Sequence, residues 1–320
     1  MSDFEVRGNK INCFKCNISY LIESDIPCFF ISKEQNEKTK NVTNEVKLFY
    51  ENTPFPNYEG CTTITDLVSQ AEKSYFPNWL NNSIPYKSKV LEIGCGTGLL
   101  SNYLSLSSRT VFGTDICNNS LDLANNFKLK NGLDRVGFYQ MNLFYPVFKK
   151  ESFDYIICNG VLHHTNNPII GFNKISSLLK EGGYIILGLY NKYGRIIQDL
   201  RKIINKITNI DISIIDPQLK KIRNIESKRK AWYLDQYKHP HESTHTINEV
   251  INWFKDNGIN FINSIPSIGV FNNYNNNLDL FKKNSNPNKV NRIIAQTKLF
   301  FSGYREGGLF IMIGKKNIRL

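Results

Sequence analysis

Three sets of residues in this chain have the types and spacing to do chemistry. The first is Gly94-Cys95-Gly96-Thr97-Gly98. Glycines there permit positive φ and let a ligand approach the backbone, and a helix beginning beyond them presents free N–H groups. A dinucleotide turn reads G-x-G-x-x-G; here the third glycine comes one residue early, and no Lys follows as a phosphate-binding P-loop requires. Asp115 stands 21 residues after Gly94, where an acid accepts both hydroxyls of a ribose or, alternatively, caps a helix. The second set is histidine. His163 and His164 sit in VLHHT, and His239, His241 and His245 in KHPHESTHT. Imidazole, with a pKa near ~6.5, is a competent base at neutral pH; packing or helix capping is the other reading for each. The three later histidines with Glu242 have metal-binding residue types, but Pro240 argues for a loop and no H-x-x-x-H lies on one helix. The third set is Cys13-x-x-Cys16 with Cys28, three thiols where a tetrahedral site wants four ligands and no second C-x-x-C follows.

These groups need elements to hold them. Lys89–Ile93 is a short apolar strand leading into the glycine turn, followed by a helical LLSNYLSL. Thr110–Asp115 is a second strand and Ser120–Leu129 a helix. Val136–Met141, Phe153–Asn159 and Tyr184–Leu189 are further strands, with a helix at Pro168–Leu179. Strands alternating with helices imply a parallel sheet covered on both faces. Thr65–Leu80 reads as one helix starting near Thr65 or Asp66. Beyond Tyr190 two basic amphipathic helices, Gly194–Thr208 and about Gln218–Tyr233, form an insertion, and the alternation then resumes. An Asn-rich FNNYNNNLDL reads as a solvated loop.

The 320 residues carry 40 Lys+Arg against 28 Asp+Glu, a formal charge of +12. Such a balance raises nucleic acid as a partner. About 40 Asn and about 40 Ile against four Ala also fit compositional drift in an AT-rich genome, which raises Lys everywhere. From Lys192 to Lys230, however, 11 Lys/Arg face four Asp/Glu, so +7 is concentrated in the insertion. No apolar run approaches the ~18 residues that span a membrane. Seven cysteines without regular spacing fit a reducing, cytoplasmic setting, and no signal peptide is expected.

VLEIGCGTGLLS, GTDI, FDYIICNGVLHH and LLKEGGYIILGLYN together resemble the class I S-adenosylmethionine-dependent methyltransferases, nearest the ubiquinone/menaquinone-type small-molecule branch. The resemblance covers about residues 47–320. It implies an α/β, Rossmann-like fold of seven strands, mostly parallel with an antiparallel last strand, plus a helical insertion after the fifth. The implied division is a Cys-containing segment at 1–32, a polar linker at 33–46, a helical arm and lid at 47–88, the cofactor-binding core at 89–190, the basic cap at 191–245 and a closing part at 246–320.

Carried over, Glu92, Gly94, Cys95, Gly96 and Gly98 lie at the methionine end of S-adenosylmethionine, with Cys95 a small turn filler. Asp115 and Ile116 hold ribose and adenine. Asn142 and Leu143 stand where many relatives have an Asp that meets the adenine, and Asn159 and Gly160 end the fourth strand beside the sulfonium. Candidate catalytic groups are His163, His164, Tyr190, His241 and His245. Acceptor contacts are expected from Asn191, Arg195, His239, Glu242, Tyr50 and Tyr58, with Arg195 a clamp for an anionic group. Tyr50, Phe55, Pro56 and Tyr58 would form the lid. Cys13, Cys16 and Cys28 resemble a zinc-ribbon-like activator segment; a degenerate site without metal is expected, zinc being the alternative. The expected partner is a small or medium-sized, anionic acceptor, against an RNA (tRNA) acceptor on the basic insertion or a catalytically silent adaptor.

Overall fold

The computed structural model describes residues 4–14, 17–30, 37–54, 60–208, 212–222, 224–268, 279–283, 288–302 and 307–318. The expected central alternation is present as β5 (Lys89–Ile93), α4 (Leu99–Ser105), β6 (Thr110–Asp115), α5 (Asn118–Lys130), β7 (Val136–Gln140), β8 (Phe153–Asn159), α6 (Pro168–Ser176) and β9 (Leu179–Tyr190). The chain closes with α10 (Ile247–Asp256), β10 (Ile259–Ile265), α11 (Lys289–Ser302) and β11 (Leu309–Lys316). In this part of the sheet the order is β7-β6-β5-β8-β9-β11-β10. The pairs from β7 to β9 are parallel, and β11 runs antiparallel to both neighbours.

Side chains alternate across the strands as burial on two faces demands. Leu91, Ile156, Ile185 and Leu187 enter one core with Phe172 and Phe254. Val90, Ile157 and Ile186 enter the other with Leu104 and Leu121.

Two expectations need correction. The sheet exceeds seven strands among the described residues: β1 (Phe4–Arg7), β2 (Lys10–Cys13), β3 (Ile18–Glu23) and β4 (Ile26–Cys28) form an antiparallel meander. It joins the edge of β7 through the parallel pair Cys28–Gln140 and a bond from Phe29 N to Gln140 O of 2.7 Å. An edge strand with unpaired N–H and C=O groups is a template for such addition. Cys13 is buried with Ile11 and Tyr20, and the Cys28 thiol lies 3.9 Å from Asn118 Nδ2. Cys16 lies outside the described residues. Among the described residues no group of His, Cys, Asp and Glu side chains is placed to hold a metal.

The second correction concerns 33–46. Part of this expected linker belongs to α1 (Glu37–Asn52), which runs across the 46/47 boundary. Lys47 pairs with Glu51 one turn on at 2.9 Å, and the Glu51 carboxylate accepts from the backbone N–H groups of Asn118 and Asn119 at 3.0 and 3.1 Å. An anion at the start of α5 meets unpaired donors and the positive end of the helix, so α1 is fastened beside the carboxyl end of β6. The single helix expected over Thr65–Leu80 is two, α2 (Ile64–Glu72), capped by Thr63, and α3 (Tyr75–Ser83). Between β9 and α10 stand α7 (Ile196–Thr208), α8 (Pro217–Lys221) and α9 (Glu226–Tyr237). Among the described residues no helix is long and apolar enough to cross a membrane.

Candidate functional site

A cavity of about 520 Å³ opens at the carboxyl ends of β5, β6, β7 and β8, with residues of α1 and α9 completing its wall. Its floor is the glycine turn. Gly94 has φ +65°, and a Cβ there would lie 2.3 Å from a Val161 methyl. Only glycine satisfies both demands. Gly98 also has positive φ, but it does not line the cavity; its missing Cβ makes room for Ala124 and Phe138 at 2.6 and 2.8 Å. Its expected place beside the cofactor is therefore corrected to one of packing α4 against α5 and β7.

All the other expected cofactor residues line this cavity: Glu92, Gly94, Cys95, Gly96, Asp115, Ile116, Asn142, Leu143, Asn159 and Gly160. The Asp115 carboxylate accepts from Gly96 N and from Cys117 N, each at 2.9 Å, and so ties two neighbouring strand ends together. Burial holds its carboxyl above the ordinary range, and those N–H groups oppose the rise. Burial likewise pushes the Glu92 carboxyl up to about 8, although the Ser101 hydroxyl donates to it at 2.5 Å. Asn142 accepts from Phe144 N at 3.0 Å, an Asx turn that shapes the cavity wall beyond β7. Asn159 Oδ1 is buried with no hydrogen-bond partner. A Cβ at residue 188 would fall on that oxygen, which explains a glycine in the middle of β9. Burial raises the Cys95 thiol well above its usual value, consistent with a filler rather than a nucleophile.

The expected acceptor residues divide. Tyr50, His164 and Tyr190 line the cavity; His163, His239, His241, Glu242, His245, Asn191 and Arg195 do not, and Tyr58, Phe55 and Pro56 lie outside the described residues. Arg195 is fully buried. Its guanidinium donates to both Glu242 oxygens at 2.7 and 2.6 Å, to Gln236 Oε1 at 2.5 Å and to Gly307 O at 2.7 Å, with its charge 3.9 Å from the Tyr190 ring. A clamp with every face engaged inside the protein has nothing left for a substrate, so that expectation is corrected for Arg195 and Glu242 together. Asn191 uses Oδ1 to accept from Tyr193 N and Gly194 N, starting the turn into α7. His245 packs on Trp253 and meets the Ser243 hydroxyl at 3.0 Å.

His163 and His164 form a chain whose tautomers follow from their partners. Tyr190 N–H donates to His163 Nδ1 at 3.2 Å, so the proton sits on Nε2, which meets His164 Nε2 at 3.1 Å. His164 Nδ1 then donates to His241 O at 3.0 Å. With every ring nitrogen engaged, neither imidazole has a lone pair for a substrate proton, and their expected catalytic role becomes one of holding β8 to the cap. His239 stacks on His164 with centroids 3.7 Å apart. Burial lowers all three, His164 to about 4, His239 to about 3 and His163 well below its ordinary value; the charge of Arg195 adds to the fall at His164, and neighbouring imidazoles add to it at His163 and His239.

Their folded values lie below the unfolded ~6.5, so the native state binds fewer protons than the unfolded chain. Stability contributed by the neutral cluster is full above about 6.5 and drains as pH falls toward 4. His239→Phe should reduce the loss of urea midpoint between pH 6.5 and 4. An identical pH profile in the variant would remove the cluster as its cause.

The sequence reading missed Trp232, Asp235 and Gln236, which line the cavity from one face of α9. Asp235 accepts from the Tyr50 hydroxyl at 3.0 Å and from Gln236 Nε2 at 2.8 Å, and the same Nε2 is 2.7 Å from Tyr190 Oη. Their i, i+3, i+4 spacing is a helix-face signal, but nothing in it says which face meets a strand end from residue 159.

Residues 91–187 match the protein family described as "Methyltransferase domain". That match covers less than a third of the chain. The chain is 28% identical over 111 residues to the ubiquinone biosynthesis O-methyltransferase of Haemophilus ducreyi, a match to 33% of this chain and 47% of that one. It is 25% identical over 191 residues to the tRNA U34 carboxymethyltransferase of Nautilia profundicola, 58% of this chain and 59% of the relative. The chain thus spans about half the length of the curated relatives it matches. Among solved structures, PKMT2 from Rickettsia typhi in complex with AdoHcy is similar to this chain with a TM-score of 0.53. The identity is 16%, covering 77% of this chain and 53% of that one, and the likeness is one of fold.

Proposed function

We propose that the chain is an S-adenosylmethionine-dependent methyltransferase whose acceptor is a small or medium-sized molecule methylated at a hydroxyl or amino group. The volume of the cavity falls in the range of small-molecule sites, roughly 300–1,000 Å³. The residues present fit the cofactor: the Asp115 carboxylate can accept from its ribose hydroxyls, and the unpartnered Asn159 Oδ1 is an acceptor for a donor such as its amino group. When bound, the cofactor supplies a methyl group already activated for displacement. The chain has to orient the acceptor, exclude water and take up a proton.

The observation that carries the acceptor reading is the wall provided by α1, β9 and α9. It presents Tyr50, Tyr190, Trp232 and the Asp235 carboxylate, and no Lys or Arg occurs among the described lining residues. An anionic acceptor would find no counter-charge there, so that part of the sequence reading is withdrawn. Asp235 keeps spare lone pairs beyond its two bonds and serves as the proton acceptor, held in place by Tyr50 and Gln236.

Incubating the protein with methyl-labelled cofactor and separated small-molecule, RNA and protein fractions tests the reading. Label is expected among small molecules; label in RNA alone would overturn it. Asp235→Asn should lower kcat about 100-fold while cofactor affinity stays within about twofold. An unaltered kcat would deny Asp235 its role.

A further inference from the structure

An ordinary surface helix turns its apolar stripe inward and its polar face to water. In α7 the arrangement is reversed. Ile196, Leu200, Ile203, Ile204 and Ile207 recur at helical spacing, and their exposures are 37, 53, 52, 41 and 75%. Gln198 and Arg201 lie on the opposite, buried face, 1% and 8% exposed. This orientation is held from outside the helix: Lys202 reaches Glu242 at 3.0 Å, and the helix leaves directly from buried Arg195. Rolling the stripe inward would break the Lys202–Glu242 contact and turn the helix away from its buried start at Arg195.

A helix of 13 residues is about 20 Å long, so the stripe is a ridge rather than a groove. The segment bearing it, Lys192 to Lys230, holds 11 Lys/Arg against four Asp/Glu, and Lys192, Lys206, Lys220 and Lys221 are exposed. Two copies of this chain meeting on the ridge would bring these exposed lysines against their like. A bilayer with anionic headgroups instead accepts the apolar ridge among its acyl chains and the lysines at its surface.

We propose that the outward face of α7 docks on an anionic lipid surface, lying in its plane. The cap would then bring α9, with its cavity-lining Trp232, Asp235 and Gln236, near the lipid. This surface is separate from the proposed activity, and its test reads lipid binding alone.

The test is co-sedimentation of the full chain with vesicles of phosphatidylglycerol and phosphatidylcholine in equal parts, against vesicles of phosphatidylcholine alone. The wild type should bind the mixed vesicles about tenfold more tightly than the neutral ones, and Ile203→Glu/Ile207→Glu should lose about tenfold on the mixed vesicles. Ile203→Ser/Ile207→Ser, a milder pair at the same exposed sites, should lose binding in the same direction and carries the test if the Glu pair misfolds. Failure of the wild type to bind the mixed vesicles overturns the proposal. So does undiminished binding by the folded variants, or a vesicle-free dimer that the variants dissolve, which would give the ridge to a second copy.

Discussion

Asp115→Ala is expected to weaken S-adenosylmethionine binding by about 100-fold or more, read by isothermal titration calorimetry. The carboxylate already accepts from Gly96 N and Cys117 N, each at 2.9 Å, and each oxygen keeps a lone pair for a ribose hydroxyl. Hydrogen bonds to a charged acceptor contribute about 1.5–3 kcal/mol apiece. A hundredfold in affinity corresponds to about 2.7 kcal/mol, which the loss of the ribose contacts alone supplies. Alanine adds a further cost, because the Gly96 and Cys117 N–H groups lose their partner and the glycine turn loses its tie to β6. Asp115→Asn retains one oxygen acceptor and should fall between the two. Wild-type affinity in the alanine variant would remove Asp115 from the cofactor site.

Arg195→Met should act on stability, where the sequence reading placed Arg195 in substrate binding. Removing the guanidinium leaves Glu242 with only the Lys202 contact at 3.0 Å and strips donors from Gln236 and Gly307. Breaking a buried pair by deleting one partner costs about 3–5 kcal/mol. For a chain of this size the fall in Tm is about 5–10 °C. Arg195→Met with Glu242→Leu should recover part of the loss, since the stranded carboxylate is then gone. A clamp for substrate predicts the opposite pattern, an increased acceptor KM with an unchanged Tm.

The half of the cavity built at the strand ends was legible in the sequence because local geometry and residue type coincide there. Gly94 needs positive φ, the strand ending at Asp115 sets its position, and the β-α alternation fixes the side of the sheet on which the turns emerge. Gly98 shows the limit of that logic. Its positive φ is a local property, but whether its bare face meets a ligand or Ala124 depends on how α5 packs. The N-terminal strands were missed because four short strands around Gly8 and Ser24 carry weak alternation, and their addition to β7 is a contact between residues more than 100 positions apart.

The acceptor half was not legible, and the reason is physical. Histidine, arginine and tyrosine serve equally as catalysts and as buried structural hubs, and their partners decide which. Arg195, Glu242 and the His163–His164 chain find those partners within the protein. Asp235 and Trp232, unremarked in a basic amphipathic stretch, face the cavity because α9 is laid across the strand ends.

By itself the sequence determined the β-α order, the glycine turn with Asp115, and the concentration of positive charge between Lys192 and Lys230, all consequences of short-range pattern. Only the tertiary structure decided which polar groups are spent in the cap, that the Asp235 carboxylate lines the cavity, and that α7 turns its isoleucines to solvent. Those outcomes depend on which surfaces meet, and burial and pairing are properties of the packed chain, not of its neighbours in sequence.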